Sequence, residues 1–392
     1  MSWEYKTLDQ LGEVSRGRSK HRPRNDPSLF GGKYPFIQTA DVKAANFYIT
    51  EYDTTYNEKG LAQSRLWNPG TLCITIAANI ADTGILAMDA CFPDSVMGFL
   101  PYEGIADVRF VKYCFDILQQ NCKKISQGAA QDNLSWEKLS TILFPAPPIE
   151  VQTKIADILS TYDNLIENNK KQIKLLEEAA QRLYKEWFVD LRFPGHETSP
   201  IVDGVPEGWK VRSLTEVANV VMGQSPKSEF YNREGKGLPF HQGVGSFGAR
   251  FVIDSTYSTS FTRIAEAGSI LFSVRAPVGR LNITKNKVVI GRGLAAINHR
   301  AGKQSYLFYL LKERFFKDDI IGNGAIFASI SKDELLGQKF MVPTDEIVDR
   351  FDAIVRDIDR KIAGLADQII LLTEARDRLL PKLMSGEIEV SS

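Results

Sequence analysis

The sequence predicts an α+β protein built twice: two mixed α/β domains, each followed by a long helix, with the two helices pairing as a coiled coil. Three observations carry that expectation. The chain has 392 residues, room for two or three domains at roughly 150 residues each. One frame of residues occurs twice, with the copies separated by 196 to 206 positions. After each copy, apolar residues recur every three or four positions over about forty residues, as on one face of a long helix.

The repeat starts at once. Trp3, Leu8, Val14, Gly17 and Ser19 fall on Trp209, Leu214, Val220, Gly223 and Ser225 at a spacing of 206. Pro35, Phe36 and Gln38 match Pro239, Phe240 and Gln242 at 204, and Gly70-Thr71-Leu72 matches Gly268-Ser269-Ile270 at 198. Gly128-Ala129, Ser135 and Phe144 match Gly324-Ala325, Ser331 and Phe340 at 196. The same 196 carries Asp163, Ile166, Gln172, Glu178 and Arg182 onto Asp359, Ile362, Gln368, Glu374 and Arg378. A spacing that only shrinks marks a duplicated module with shorter loops in one copy. Its period is too long for a solenoid.

The expected order is therefore a first domain at 1–146, a central helical spacer at 147–190, a linker at 191–208, a second domain at 209–343 and a C-terminal helical spacer at 344–392. Within the domains, Thr71–Ile76 and Ile270–Val274 read as strands, and Phe110–Leu118 and Tyr306–Phe316 as short helices. The proline run after Phe144 ends the first domain, and Glu150 opens the helix with a carboxylate near its N-terminus. The linker is rich in Gly, Pro and Asp.

In the first helix the apolar seam runs Val151, Ile155, Ile158, Tyr162, Leu165, Leu176, Ala179, Leu183. In the second it runs Ile347, Phe351, Ile354, Ile358, Leu365, Leu372, Ala375, Leu379. A sustained 3.5-residue period argues for a coiled coil, and about 60 Å of helix is too long to fold against one compact domain. Asn169 and Gln172 interrupt one seam, Lys361 and Gln368 the other. Polar seam positions cost stability and fix register or orientation.

Composition excludes several classes. Apolar residues make up 43% and charged residues 24%, which rules out wholesale disorder. No apolar run approaches a membrane span, and the opening MSWEYKTLDQL reads as no secretory signal. Cys73, Cys91, Cys114 and Cys122 form no C-x-x-C pair, so reduced core thiols in a cytoplasmic protein are expected. Equal numbers of basic and acidic groups hide a local field: residues 209–343 hold 19 basic and 10 acidic groups, a net +9. Arg16, Arg18, Lys20, His21, Arg22 and Arg24 crowd into one short stretch of the first domain.

No catalytic motif emerges. Gly243-Val-Gly245-Ser-Phe-Gly248 fits G-x-G-x-x-G, but Ala249–Ile253 after it reads as a strand, whereas the dinucleotide fingerprint needs a helix N-terminus. There is no Walker A sequence, no G-x-S-x-G elbow and no paired-histidine metal motif. The Asn/Asp-Pro-Pro-aromatic tetrad of amino-methyltransferases is also absent.

The whole chain resembles the specificity subunits of type I restriction-modification enzymes. The likeness rests on the Trp3…Leu8…Gly12-Glu13-Val14…Gly17…Ser19 opening and its copy at Trp209–Ser225. It rests also on Pro147-Pro148-Ile149-Glu150-Val151-Gln152 leading into Lys170–Phe188, and on the ending Leu379-Leu380-Pro381-Lys382-Leu383. The second copy departs from it: Thr344-Asp345-Glu346-Ile347 replaces the proline-rich lead-in, and Val348 stands where Gln152 is expected. The resemblance implies two target-recognition domains, each reading half of a bipartite asymmetric site on double-stranded DNA, in a system that defends against foreign DNA. It implies antiparallel helices with pseudo-two-fold symmetry that act as a ruler and dock two modification (methyltransferase) subunits. Restriction (endonuclease/translocase) subunits would join through these. No cofactor is expected in this chain: S-adenosylmethionine belongs to the methyltransferase partner, and ATP and Mg to the restriction partner.

Candidate DNA-binding residues follow the Val-x-x-Gly pattern: Arg16, Arg18, Ser19, Lys20, Arg22 and Arg24 in the first domain, Gln224, Ser225 and Lys227 in the second. Arg and Lys supply phosphate contacts, while Arg and Gln pair with guanine and adenine edges. Gln38, His241 and Gln242 follow strand-like residues and either face the groove or cap a turn. Gln131 and Asn133 occupy a polar loop, and Arg275, Arg280 and Arg292 lie in glycine-proline loops of the basic domain. Trp3 and Trp209 read as core anchors. Two other classes stay open on residues alone, a coiled-coil protein scaffold without sequence-specific DNA binding and an enzyme fragment of unseen chemistry.

Overall fold

The computed structural model describes residues 3–76, 81–125, 136–315 and 329–390. It divides into two units, Met1–Lys171 with Leu365–Ser392, and Gln172–Gly364. Each unit thus contains part of the central helix, Ile149–Phe188, and part of the C-terminal helix, Asp345–Met384.

Both units begin alike. Thr7 and Ser213 precede one-turn helices, Leu8–Leu11 and Leu214–Val217. Their backbone N–H groups donate to the side chains three residues on, Gln10 at 3.0 Å and Glu216 at 2.7 Å. That reciprocal cap turns the chain into the first strand of a sheet. In the first unit the strands lie in the order Gly12–Arg16, Val96–Pro101, Leu72–Thr75, Thr83–Leu86, all antiparallel, with Tyr48–Ile49 added in parallel. In the second the order is Ala218–Met222, Leu294–His299, Ile270–Ser273, Leu281–Ile283, again antiparallel. One topology has been used twice. The repeated glycine has a reason: a Cβ on Gly17 would lie 2.3 Å from the Phe92 carbonyl oxygen, and one on Gly223 would lie 2.1 Å from that of Gly291.

The inner strands are buried on both faces, which is why they read as apolar runs rather than alternating ones. Helix Val108–Ile125 covers one face in the first unit, with Phe110, Val111 and Phe115 against Leu72, Ile74 and Phe99. Ile37, Trp67 and Phe92 cover the other. Helix Gln304–Phe315 does the same in the second unit, with Leu307 and Leu311 beside Ile270 and Phe272. Trp209 is buried, and Trp3 packs edge-on against Phe110. Cys73, Cys91 and Cys114 are buried free thiols; Cys122 lies outside the described side chains.

Two local expectations need correction. Ala249–Ile253 is not a strand: only Phe251 and Val252 make isolated bridges, and Val244–Ser246 is a 3-10 turn. The proline run is not only a stop, since Phe144–Ala146 pairs with Glu4–Lys6 as a strand. Residues 191–208 carry a short hairpin, Ile201–Val202 with Val205–Pro206, and Phe193 joins the second unit's core.

Inside each unit the two helices run antiparallel. In the first, Asp163 meets Arg376 and Asn169 meets Gln368, so a rise along one helix is a fall along the other. In the second, Tyr184 and Trp187 pack on Phe351, while Glu177 and Asp359 share one arginine. The seam differs in phase from expectation. Ile158, Leu165 and Ile354 are 39%, 45% and 48% exposed, while Leu159 and Val355 are fully buried. Lys361 is exposed and Ile362 takes the inside position. A heptad template assumes that a helix faces only another helix. Here each also packs on a domain, and the buried stripe turns by about one residue, roughly 100°.

Candidate nucleic-acid interface

The register of each sheet brings particular loops to one end. In the first unit Arg16 pairs with Met97 and Thr75 with Val96, so the segment after Arg16 and the segment before Val96 emerge together. Gly17 and Arg18 donate backbone N–H groups to Val96 and Phe92 carbonyls at 2.8 and 3.0 Å. In the second unit Met222 pairs with Ala295 and Ser273 with Leu294. Three loops therefore leave from the same end, beginning at Gly223, at Val274 and before Leu294. They carry Gln224 and Ser225, Arg275, and Arg292.

The basic loop of the first unit separates into two kinds of cation. Arg16, Arg18 and Lys20 are exposed, with no carboxylate at ion-pair distance among the described residues. Arg22 instead folds back, donating to the Ser19 and His21 carbonyls at 2.7 and 2.8 Å, and Arg24 pairs with Asp94 at 2.7 Å. His21 is held 2.8 Å from Asp26. The Asp26 carboxyl, bonded by Ser28 first and His21 next, is lowered to about 2.

Ser19 does not face outward as expected. It is 5% exposed, with its hydroxyl 3.4 Å from that of Tyr56. It lines a cleft of about 400 Å³ with Phe30 and Phe36 as apolar wall and Arg24 and Gln38 among its polar groups. Gln38 precedes helix Thr39–Ala44, its N–H donating to Asp41 at 2.7 Å and its amide to Thr54 at 3.3 Å.

In the second unit Ser225 donates to the Gln242 Oε1 at 2.7 Å and accepts from the Arg292 backbone N–H at 3.2 Å. Residues far apart in sequence thus form one polar group at the sheet end. Gln224 is fixed by its backbone, donating to the Ile290 carbonyl at 3.0 Å and accepting from the Thr262 hydroxyl. Lys227 is exposed, 3.9 Å from Glu229. Arg275 and Arg292 are exposed, and Arg280 is half-buried.

His241 is not at the surface. It is 1% exposed, with Nδ1 2.8 Å from Ser246 and Nε2 3.0 Å from Asp254. Burial pushes its pKa down against the opposing charge of Asp254, so it serves as a core hydrogen-bonding group. Gln131 and Asn133 lie outside the described residues.

Sequence reading missed Arg65. Its guanidinium stacks 3.8 Å from the Trp67 ring and donates to Ser15 at 3.0 Å, beside the opening strand. Only the fold brings residues 15 and 65 together. It also missed Asn25 and Thr54, which line the cleft with Gln38.

Comparison with known proteins agrees across the chain. The model of the type I restriction modification DNA specificity domain matches residues 1–178 and 206–369. The MjaIX specificity subunit of a type I restriction enzyme from Methanocaldococcus jannaschii is 27% identical over 99% of this chain and 94% of its own length. A putative MjaX specificity subunit from the same organism is 34% identical over 67% of this chain and 63% of its own. Among solved structures, the type I restriction-modification S subunit from M. genitalium shares the fold, with a TM-score of 0.61 at 16% identity, covering 100% of this chain and 97% of that one.

Proposed function

This chain belongs to the specificity subunits of type I restriction-modification enzymes, and from that membership and the geometry of the two sheet ends we propose how it works. It is a DNA-recognition subunit, not an enzyme. Each sheet end reads one half of a bipartite, asymmetric sequence. The observation that carries this is the gathering of side chains with different chemistry at equivalent ends. The first end has free cations, Arg16, Arg18 and Lys20, beside Arg22, Arg24 and Gln38; the second has Gln224, Ser225, Gln242, Lys227 and three arginines, Arg275, Arg280 and Arg292. Cations hold phosphates, while amides and arginines discriminate base edges, so two differently equipped ends read two different half-sites. Gln131 and Asn133, outside the described residues, stay candidates on sequence alone.

The paired helices set the gap between half-sites. Their exposed apolar residues, Ile158, Leu165, Ile370 and Leu371, supply a face for modification subunits. S-adenosylmethionine is bound by those partners, and ATP and Mg by the restriction subunits that complete the assembly, in the cytoplasm. No helix among the described residues is long and apolar enough to cross a membrane. The family match favours the DNA reader and leaves a protein-only scaffold without support.

The test is the methylation pattern of the assembled complex carrying Gln242→Ala. One half-site should relax at a single position, by about tenfold in discrimination, with the other half-site unchanged. Equal relaxation of both half-sites would overturn the assignment.

A further inference from the structure

The glycine-rich loop Gly243–Gly248 connects two features of the second unit. Just before it stands Gln242, oriented by Ser225 beside Arg292. Two residues after it stands Arg250, 5% exposed. The Arg250 guanidinium donates to Asp359 at 2.6 Å and reaches Glu177 and the Tyr309 hydroxyl at 3.5 Å. Its plane lies over the Phe308 ring at 3.8 Å. Asp359 belongs to the C-terminal helix and Glu177 to the central helix, so one side chain ties the domain to both. The remaining Asp359 oxygen accepts from Ser305 at 2.6 Å. Burial pushes the Asp359 carboxyl up while the Arg250 charge pulls it down.

The loop between these ends is braced. Ser246 is 2.8 Å from the buried His241, and Asn282 donates to the Gly248 carbonyl at 2.8 Å. The Arg250 carbonyl accepts from Ile283 at 3.0 Å. Movement of the helix pair at Asp359 is therefore passed to Gln242 through a short, fixed segment rather than a slack one.

The first unit solves the same problem differently. Asp163 is the repeat partner of Asp359, but its cation is Arg376, carried by the facing C-terminal helix, and Tyr113 donates to the Asp163 carboxylate at 2.5 Å. The repeat partner of Arg376 is Ala180, and that of Phe308 is Lys112. The second unit has thus exchanged an arginine borne by a helix for one borne by the loop next to its candidate reading residues.

We propose that Gly243–Arg250 is a strap fixing the reading edge of the second domain to the helices, with Arg250 as the positioning residue that decides where the second half-site is read. This rests on the DNA-reading function and adds a residue that touches no DNA. Arg250 controls the stringency of the gap, not the identity of the bases.

The experiment uses the complete complex with its modification subunits and maps methylated sites genome-wide. Two variants are compared with the parent: Arg250→Met, and Arg250→Met with Asp359→Leu, which removes the 2.6 Å pair from both sides and leaves only the partly exposed Glu177 without its arginine. The strap predicts unchanged half-site bases in both, with methylation at gaps one base pair longer or shorter raised about tenfold relative to the parent. A double variant that melts like the parent and keeps the same gap stringency would overturn it. So would a change in half-site bases, or a uniform fall in methylation with the gap distribution intact. A parent complex that methylates no bipartite sequence would instead overturn the DNA-reading function itself, a result distinct from any of these.

Discussion

Asn169 of the central helix donates its amide proton to Gln368 of the C-terminal helix across 3.2 Å. The polar break in one apolar seam meets the polar break in the other, which fixes both the direction and the register of the pair in the first unit.

That register is open to crosslinking. Ile155 and Leu379 belong to one apolar cluster although they lie toward opposite ends of their helices. Cysteines at the two positions should form a disulfide readily under mild oxidation, read by mobility on a non-reducing gel. Absence of the crosslink in a folded protein would contradict the antiparallel pairing.

The Asp163–Arg376 pair should be costly to break from one side only. Asp163 is 1% exposed, and its second oxygen accepts from Tyr113. Arg376→Met leaves that charge buried and should destabilise the first unit by roughly 3 kcal/mol. Adding Asp163→Asn, which keeps an acceptor for Tyr113, should recover most of the loss. Urea denaturation of the four members of the cycle gives the answer, and simple additivity would contradict a buried, coupled pair.

Acid should weaken the second unit earlier than carboxylate chemistry alone explains. Burial lowers the pKa of both His241 and His299 below the usual 6.5. A histidine with a lowered folded value binds its proton more readily when unfolded, so its stabilising contribution is complete above the unfolded value near 6.5 and is lost as pH falls from there toward the lowered folded value. Thermal midpoints should fall as pH drops from 7 toward 5, and His241→Gln should flatten that limb. An unchanged slope would contradict the buried neutral state.

Salt dependence separates the two kinds of cation in the basic loop. Arg16, Arg18 and Lys20 carry no ion pair among the described residues, unlike Arg24, which is held by Asp94. Replacing the three free cations by alanine should reduce the slope of log affinity against log salt by roughly 2.7 for the complex on its DNA. Replacing Arg24 alone should change it by no more than about one. Equal slopes for all variants would remove the phosphate role.

Much of this architecture was legible because it is written locally. The repeated frame from Trp3 to Ser19 and from Trp209 to Ser225, and the long amphipathic helices, can be read from short stretches of chain, although what crowds Gly17 and Gly223 lies at least 68 residues away. The phase of the helical seam was not, because the domain body decides which neighbour of Ile158 or Ile354 is buried. Ser19 and His241 looked like surface polar residues, and only long-range contacts to Tyr56 and Asp254 show them turned inward. Arg65 and Arg250 were invisible for the same reason, since their hydrogen-bonding partners lie at least 50 residues away. The departure at the second helix start also has a physical basis. Gln152 is buried, bonding the Ile105 and Pro147 carbonyls and the Asp107 amide, whereas Val348 joins an apolar cluster. Both helices nevertheless begin at matching positions, Ile149 and Asp345.

The ruler has a direct length test. Removing four matched residues from each helix shortens it by about 6 Å, nearly two base-pair steps of roughly 3.4 Å. The gap in methylated sites should shrink while both half-sites keep their bases. Altered half-site bases with an unchanged gap would contradict the helices as spacers.

The most direct measurement is a map of methylated bases in cells that carry the modification subunits, with and without this chain. The account predicts one bipartite motif, two different half-sites at a fixed spacing, present with the chain and lost without it. Methylation at the same sites in both cells would contradict it.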